Sequence, residues 1–498
     1  MPRRKQLMVV VAAVLMLLSL FTQPLLAAPS LEVTIGGNTV SDNDAILVGS
    51  KTVTLSVYDK NGAAQNVEIT LNNKRVTAKS VIGQVYKWQA NLSLATGLNN
   101  VGVVAQAADK STDTVAFQIM YTTTPVPGLT YEVPSLPATG KIEAFNKTVS
   151  LTYPKGNVFI DTSGRITDSP IAFTVCDPPG DLPDSYHYLV SQVIKISVSQ
   201  GVYLQQPGQL TLSFNENVSS SVSNQLAIWY SPDNVWNDND NYILGGRTDA
   251  SKKTITAPFQ FSGNSEGYYA VFLADRVFAD FTDQSEAAWA YSSVMPMWAK
   301  GLAEPLPLNR GDYKFGAGDD INRLEFTTIL VKGLGLPLEN VPSVFRDVYG
   351  APKFIDNAYF GTDYSLQAGG LLYDQEHTPA QYVATALRYG IIAGYPDGTF
   401  QPQKNLTRQE AAVILARAAN LKLINDGDKA KSSLQKIFTD AEDIQPWAAP
   451  SILAAYRAKL IAGLPGEDKT IRFAPNETLT RAQAITMIYR LLEKQKKI

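Results

Sequence analysis

The chain has 498 residues, enough for about three domains. Its 43 Lys and Arg stand against 46 Asp and Glu, a near-neutral, mildly acidic balance that argues against nucleic acid as a partner. One cysteine, Cys176, excludes an intramolecular disulfide, and two histidines, His187 and His377, leave little for a zinc site.

The N-terminus reads as a secretory signal peptide over residues 1–28. Arg3, Arg4 and Lys5 precede an apolar run from Leu7 to Phe21, and small residues follow at Ala27 and Ala28. No retained membrane segment is expected, since no later stretch approaches the ~20 apolar residues that a spanning helix needs. A secreted chain this poor in cysteine fits a Gram-positive cell surface.

Residues 29–124 alternate apolar and polar side chains with period two. Val53-Leu55-Val57, Val67-Ile69-Leu71, Tyr86-Trp88-Ala90-Leu92 and Val115-Phe117-Ile119-Tyr121 mark strands between turn residues, the pattern of an immunoglobulin-like sandwich. The Pro-rich stretch that follows assigns a linker to residues 125–140. It contains LPATG at 136–140, a chance match to a sortase signal, because no apolar span and basic tail follow. Residues 141–274 read as a second β-domain, with strands at Val149-Leu151-Tyr153, Ile171-Phe173-Val175, Leu210-Leu212-Phe214 and from Tyr268. Gly263–Gly267 spells a nucleophile elbow, but a strand follows the serine where that motif needs a helix. The polar run Asn237–Asn241 could hold calcium, yet it lacks EF-hand spacing and reads better as a hairpin loop.

After residue 275 the period becomes helical and a unit recurs three times. Each unit has a Phe-x-Asp, a helix, a turn, a phenylalanine and then a capped helix. The Phe-x-Asp copies are taken at Phe281, Phe345 and Phe438. Asn322, Thr407 and Thr480 are the caps, with Glu325, Glu410 and Gln483 three residues on. Arg323, Arg408 and Arg481 follow the caps directly, in the first turn, where the helix dipole disfavours a cation. Trp289 and Trp447 occupy equivalent places in the first and third units, and Thr378 in the second. The units are bounded at 275–336, 337–422 and 423–498, the second with an insertion over 350–376.

INRLE, LTRQE and LTRAQ, with GYPDGTFQP at Gly394–Pro402, resemble the motifs of the S-layer homology family. The resemblance covers about 277 to 493. It implies an all-α bundle of three repeats with pseudo-threefold symmetry behind the two β-sandwich-like domains. It also implies non-covalent binding of secondary cell-wall polysaccharide, commonly pyruvylated, and allows self-association into a surface layer.

Site residues carried over from the resemblance are Arg323, Arg408, Arg481, Trp289, Trp447 and Asp397. A helix start offers free amides and positive potential, and an arginine adds a fork that matches a carboxylate. Alternatively, each arginine pairs with an acid of a neighbouring lobe, such as Asp283, Asp347 or Asp440. Each tryptophan either faces a sugar or anchors the core. Because Thr378 stands where a tryptophan is expected, the second unit's Arg408 is expected to matter less than Arg481. Nothing calls for a cofactor, a metal or a catalytic constellation, and the expectation is a non-enzymatic anchor. The alternative is an envelope or polysaccharide enzyme with its centre in the β-region.

Overall fold

The computed structural model describes residues 28–237, 241–261, 263–276, 278–281, 285–307, 313–339, 345–348 and 378–498. The signal peptide before residue 28, Asp283, most of the Asn237–Asn241 run and the insertion 350–376 lie outside them. The N-terminal region is mostly β-sheet and the C-terminal region helical. Two compact units divide the chain.

The first unit comprises residues up to 135 together with 144–146 and 170–176. One antiparallel sheet runs through Leu31–Ile35, Thr52–Asp59 and Lys87–Ser93. A second runs through Ala64–Leu71, Gly97–Ala107 and Thr112–Tyr121, with Ala45–Val48 added in parallel to the last. The alternation does what its period requires: Leu55, Val57 and Leu92 from one sheet and Ile69, Val103 and Ile119 from the other share one core. Asp59 closes the turn after its strand. Its carboxylate accepts backbone N–H bonds from Ser30, Asn61, Ala63 and Ala64 at 2.7–3.1 Å.

The Pro-rich stretch is not wholly a linker. Thr130–Val133 forms a strand paired antiparallel with Ile171–Cys176, and Thr130 also bridges Val48. Thr, Tyr and Val favour the strand once Pro125, Pro127 and Gly128 have turned the chain. The strand Ile171–Cys176, expected in the second β-domain, therefore belongs to the first unit. Pro137 and Gly140 of the LPATG stretch close a turn, with the Tyr153 hydroxyl donating to the Pro137 carbonyl at 2.8 Å.

The second unit joins the remaining β-region to the repeats, so residue 274 is no break between compact bodies. One sheet orders Lys141–Ala144, Val149–Thr152, Gly208–Ser213, Thr254–Phe259 and Arg247–Asp249. Another pairs Glu266–Ala274 with Leu226–Ser231, Val193–Ser197 and His187–Leu189. The helices are α1 (Tyr291–Ala299), α2 (Arg323–Leu334), α3 (Pro379–Arg388), α4 (Arg408–Ala418), α5 (Gly427–Leu434), α6 (Ala449–Arg457) and α7 (Arg481–Lys494). Buried Lys300, at the C-terminal cap of α1, donates to the Leu226 carbonyl at 2.7 Å. Trp298 packs on His187, ring centroids 5.2 Å apart. His187 is itself buried against Trp229 and hydrogen-bonded to Asp184 at 2.9 Å. These contacts make β-region and repeats one body.

Helix pairing crosses the repeat boundaries. The capped helix of each unit packs on the helix after the next unit's Phe-x-Asp: α2 on α3, and α4 on α6. The last capped helix, α7, packs back on α1. Three short bridges, Asn322 with Asn405, Thr407 with Thr478 and Asp320 with Thr480, follow the same cyclic order.

Candidate functional site

Asn322, Thr407 and Thr480 adopt extended backbone, and their side chains accept from the amides of Glu325, Glu410 and Gln483. The first two amides of each helix are then spent on the neighbouring repeat. Arg323 and Leu324 donate to Lys404 and Pro402, Arg408 and Gln409 to Glu477 and Pro475, and Arg481 and Ala482 to Asp319 and Ala317. The orphan donors of a helix start are thus satisfied by protein carbonyls, and the expected open anion site at these termini is filled.

The arginines repeat the theme. Arg323 Nη2 donates to the Ala393 carbonyl, Arg408 Nη2 to Ala462 and Arg481 Nη2 to Glu304, each at 2.6 Å. Each guanidinium lies over a phenylalanine of the same neighbour: Phe400 at 4.9 Å, Phe473 at 5.5 Å and Phe315 at 5.0 Å. All three arginines are at most 6 % exposed. The fork expected to meet a ligand carboxylate is therefore turned inward, latching each repeat to the next.

Of the acids expected to pair with them, Asp347 and Asp440 are described, and both bind backbone amides instead. Asp347 accepts from the amides of Phe400 and Gln401, and Asp440 from those of Phe473 and Ala474, at 2.6–2.8 Å. In the first unit Asp280 does this work for Phe315 and Ala317, at 2.9 and 2.7 Å. The first Phe-x-Asp is thus Phe278–Asp280, three residues before the copy expected at Phe281. Gly316, Gln401 and Ala474, each next to its phenylalanine, have positive φ, and the aspartates hold that turn.

The latches differ in charge. Arg481 is buried and ion-pairs with Glu325, which is largely covered. Burial pushes the Glu325 carboxyl up, with Arg481 opposing. Arg408 meets only the neutral Gln483, at 3.3 Å, and among the described residues no carboxylate lies within ion-pair distance of it. Burial pushes Arg408 down to about 10. Arg323 sits by Tyr395 at 5.0 Å, while Glu410 is taken by Lys404 and Tyr395, each at 3.0 Å.

The tryptophans are surface groups: Trp289 is 55 % and Trp447 56 % exposed. Helix pairing sets their neighbours. Trp447 precedes α6, which packs on α4, the helix that Arg408 opens. There Gln409 bridges the two elements, accepting from the Gln445 amide at 3.2 Å and donating to Asn476 at 2.8 Å. Trp289 belongs with α7 and Arg481, and Thr378 with α2 and Arg323. The missing tryptophan therefore falls at the start of a helix that packs on the one Arg323 opens, not on the one Arg408 opens. Gln409 had no sequence signal beyond its place after the arginine. Asp397 is exposed and closes its own turn, accepting from the Thr399 amide and hydroxyl at 3.0 and 2.6 Å.

The chain carries S-layer homology domain sequence in this helical part: the family's sequence pattern matches residues 374–412 and 437–485. Those spans fall within the second and third units, and the first makes the same latch contacts. A cellulosome-anchoring protein of Acetivibrio thermocellus is 38 % identical over 108 residues, 22 % of this chain and 22 % of that protein. A surface layer protein of Brevibacillus choshinensis is 34 % identical over 193 residues, 39 % of this chain and 15 % of that protein. An amylopullulanase of Thermoanaerobacterium thermosulfurigenes is 25 % identical over 318 residues, 63 % of this chain and 14 % of that protein. The chain thus spans less than a quarter of the length of these relatives. It shares its C-terminal domain with proteins of the cell surface.

Proposed function

We propose that the repeats form a pseudo-threefold ring that holds this protein non-covalently on the cell wall, by binding an anionic secondary polysaccharide in grooves between units. The two β-regions, the first of them an immunoglobulin-like sandwich, are displayed outward, and lateral association into a surface layer is compatible with this arrangement. The observation that carries the reading is the pair of half-exposed tryptophans at equivalent helix starts. A large aromatic left open twice at the same repeat position is unnecessary to the core and offers a flat apolar face to a sugar ring. On the helix packed against Trp447's own is the positive charge of Arg408, which no carboxylate among the described residues meets at ion-pair distance, and Gln409 there bonds Gln445 and Asn476. That set suits a sugar bearing a carboxylate, such as a pyruvate ketal. The motif arginines act here from below, by charge and by holding the groove's shape, and Asp397 rims the neighbouring turn.

The groove of Trp447 and Arg408 is the strongest, that of Trp289 and Arg481 the second, and that of Thr378 and Arg323 the weakest. The test is sedimentation of the whole chain with wall sacculi, with and without their secondary polymer. Binding that survives removal of the polymer, or that survives Trp447→Ala with Trp289→Ala, refutes the reading.

A further inference from the structure

Away from the grooves, the second unit contains an open cleft of about 1790 Å³ between its β-region and its helices. Its floor is the outer face of the five-stranded sheet. Period two makes that face: Leu151, Leu210, Leu212 and Ile255 turn into the core, and Thr211 and Thr256 turn out half-exposed, with Ser150 beside them nearly covered. Cross-strand register lines up Ser150, Thr211, Thr256 and Arg247 in one row. Three hydroxyls thus lead to a guanidinium, and Thr211 and Thr256 lie 2.8 Å apart. Tyr242, 37 % exposed, stands at one wall, tilted on Tyr230 with centroids 4.5 Å apart.

The charge is one-sided. Glu143 and Asp249 are the acids of the described lining, and each is already paired, with Lys141 at 2.6 Å and Lys252 at 2.9 Å. Lys147, Arg247, Lys496 and Lys497 also line the cleft, and among the described residues no ion pair claims any of them. In a chain of net charge −3 this is a local concentration of cations, and low-dielectric walls focus such a field.

We propose that this cleft is a second binding site, separate from the repeat grooves, for a strand of anionic glycan. The cations of Arg247, Lys147, Lys496 and Lys497 would meet its carboxylates or phosphates. The hydroxyl row would meet sugar hydroxyls, and the open Tyr242 ring would meet a sugar face. Cations alone would take any polyanion. The hydroxyl row and the aromatic wall select a carbohydrate backbone.

The test is calorimetric titration of the whole chain with three probes: oligogalacturonate, a poly(glycerol phosphate) oligomer and neutral dextran. A polyglutamate oligomer is the non-carbohydrate control. Binding is expected for one or both anionic glycans, weakening with salt, and not for dextran. The probe that binds identifies the anion as carboxylate or phosphate. The variant Lys147→Ala/Arg247→Ala/Lys496→Ala/Lys497→Ala should lose affinity by about tenfold or more at unchanged melting temperature. The variant Trp289→Ala/Trp447→Ala should keep the cleft's share of binding. The proposal is overturned if neither anionic glycan binds, if polyglutamate binds as well as the glycans, or if the tryptophan variant loses all binding while the cleft variant loses none. The last outcome would leave the repeat grooves as the seat of binding.

Discussion

Arg481 and Glu325 are 156 residues apart in sequence and form a largely covered ion pair that ties the last helix to the first capped one. Arg481 opens the last helix, and Glu325 is the third residue of the first capped helix. The pair sits where two chain-distant units must meet. Losing one partner leaves the other charge buried and unmatched, which costs about 3–5 kcal/mol. Arg481→Ala should therefore lower the melting temperature sharply, measured by calorimetry on the whole chain. Replacing both, as Arg481→Met/Glu325→Met, should recover a large part of the loss. Equal destabilisation in single and double variants would show that the carbonyl latch to Glu304, not the ion pair, carries the energy.

Asp440 holds two amides of the turn that presents Phe473 to Arg408. Asp440→Ala would leave both amides without their acceptor, a loss of about 1–3 kcal/mol. Chemical denaturation should register it, and Asp280→Ala should behave alike. A much smaller effect at Asp280 would contradict its place as the first unit's turn acid.

Lys300 supplies a pH signature. Burial pushes its amine down to about 7 from the ordinary 10.5. The unfolded chain then binds more protons than the folded one between those values, so stability rises as pH increases through that window. Below pH ~7 the folded state must keep a charge in a buried place. Lys300→Met should remove this slope, seen as a flatter curve of unfolding free energy between pH 7 and 10. A slope unchanged in the variant would place the titration elsewhere.

The same lysine bears on where the chain can be cut. A fragment starting at 275 loses the Leu226 carbonyl that Lys300 meets and the His187 ring that covers Trp298. It should melt well below a fragment starting at 177, by thermal denaturation followed by circular dichroism. Equal melting points would mean that the repeats need nothing from the β-region.

What the sequence shows and what it hides divide along one physical line. Caps are local, so Thr407 with Glu410 could be read three residues apart, and strand alternation at Leu55 and Ile69 is local too. The latches are not. Nothing near Arg408 in the sequence announces the Ala462 carbonyl or the Phe473 ring, and the helix start that seemed open to a ligand is filled by residues 67 to 69 positions on. The run Phe278–Asp283 offers two consecutive Phe-x-Asp frames, and only the amides of Phe315 and Ala317 choose between them. The Pro-rich segment concealed a strand because its partner, Ile171–Cys176, lies some 40 residues away.

Helix pairing also reorders the grooves, and this yields a graded prediction. By position in the repeat, Thr378 belongs to the same unit as Arg408. In space α3 packs on α2 and α6 on α4, so the grooves proposed above pair Thr378 with Arg323 and Trp447 with Arg408. Trp447 is more than half exposed, so Trp447→Ala should change stability by less than about 1 kcal/mol. An aromatic anchor in a binding site is worth about 2 kcal/mol or more, so wall affinity should fall roughly thirtyfold. Trp289→Ala should cost less, because the charge of Arg481, on the helix that the Trp289 turn packs against, is already neutralised by Glu325. Thr378→Ala should leave affinity unchanged, and Thr378→Trp should raise it by supplying the missing face. Arg323→Ala should destabilise the ring yet leave affinity per folded molecule nearly intact. Sacculus binding isotherms, corrected for the folded fraction at the assay temperature, test the order directly. If Arg323→Ala proved as damaging to corrected affinity as Trp447→Ala, the grooves would not be graded by their tryptophans.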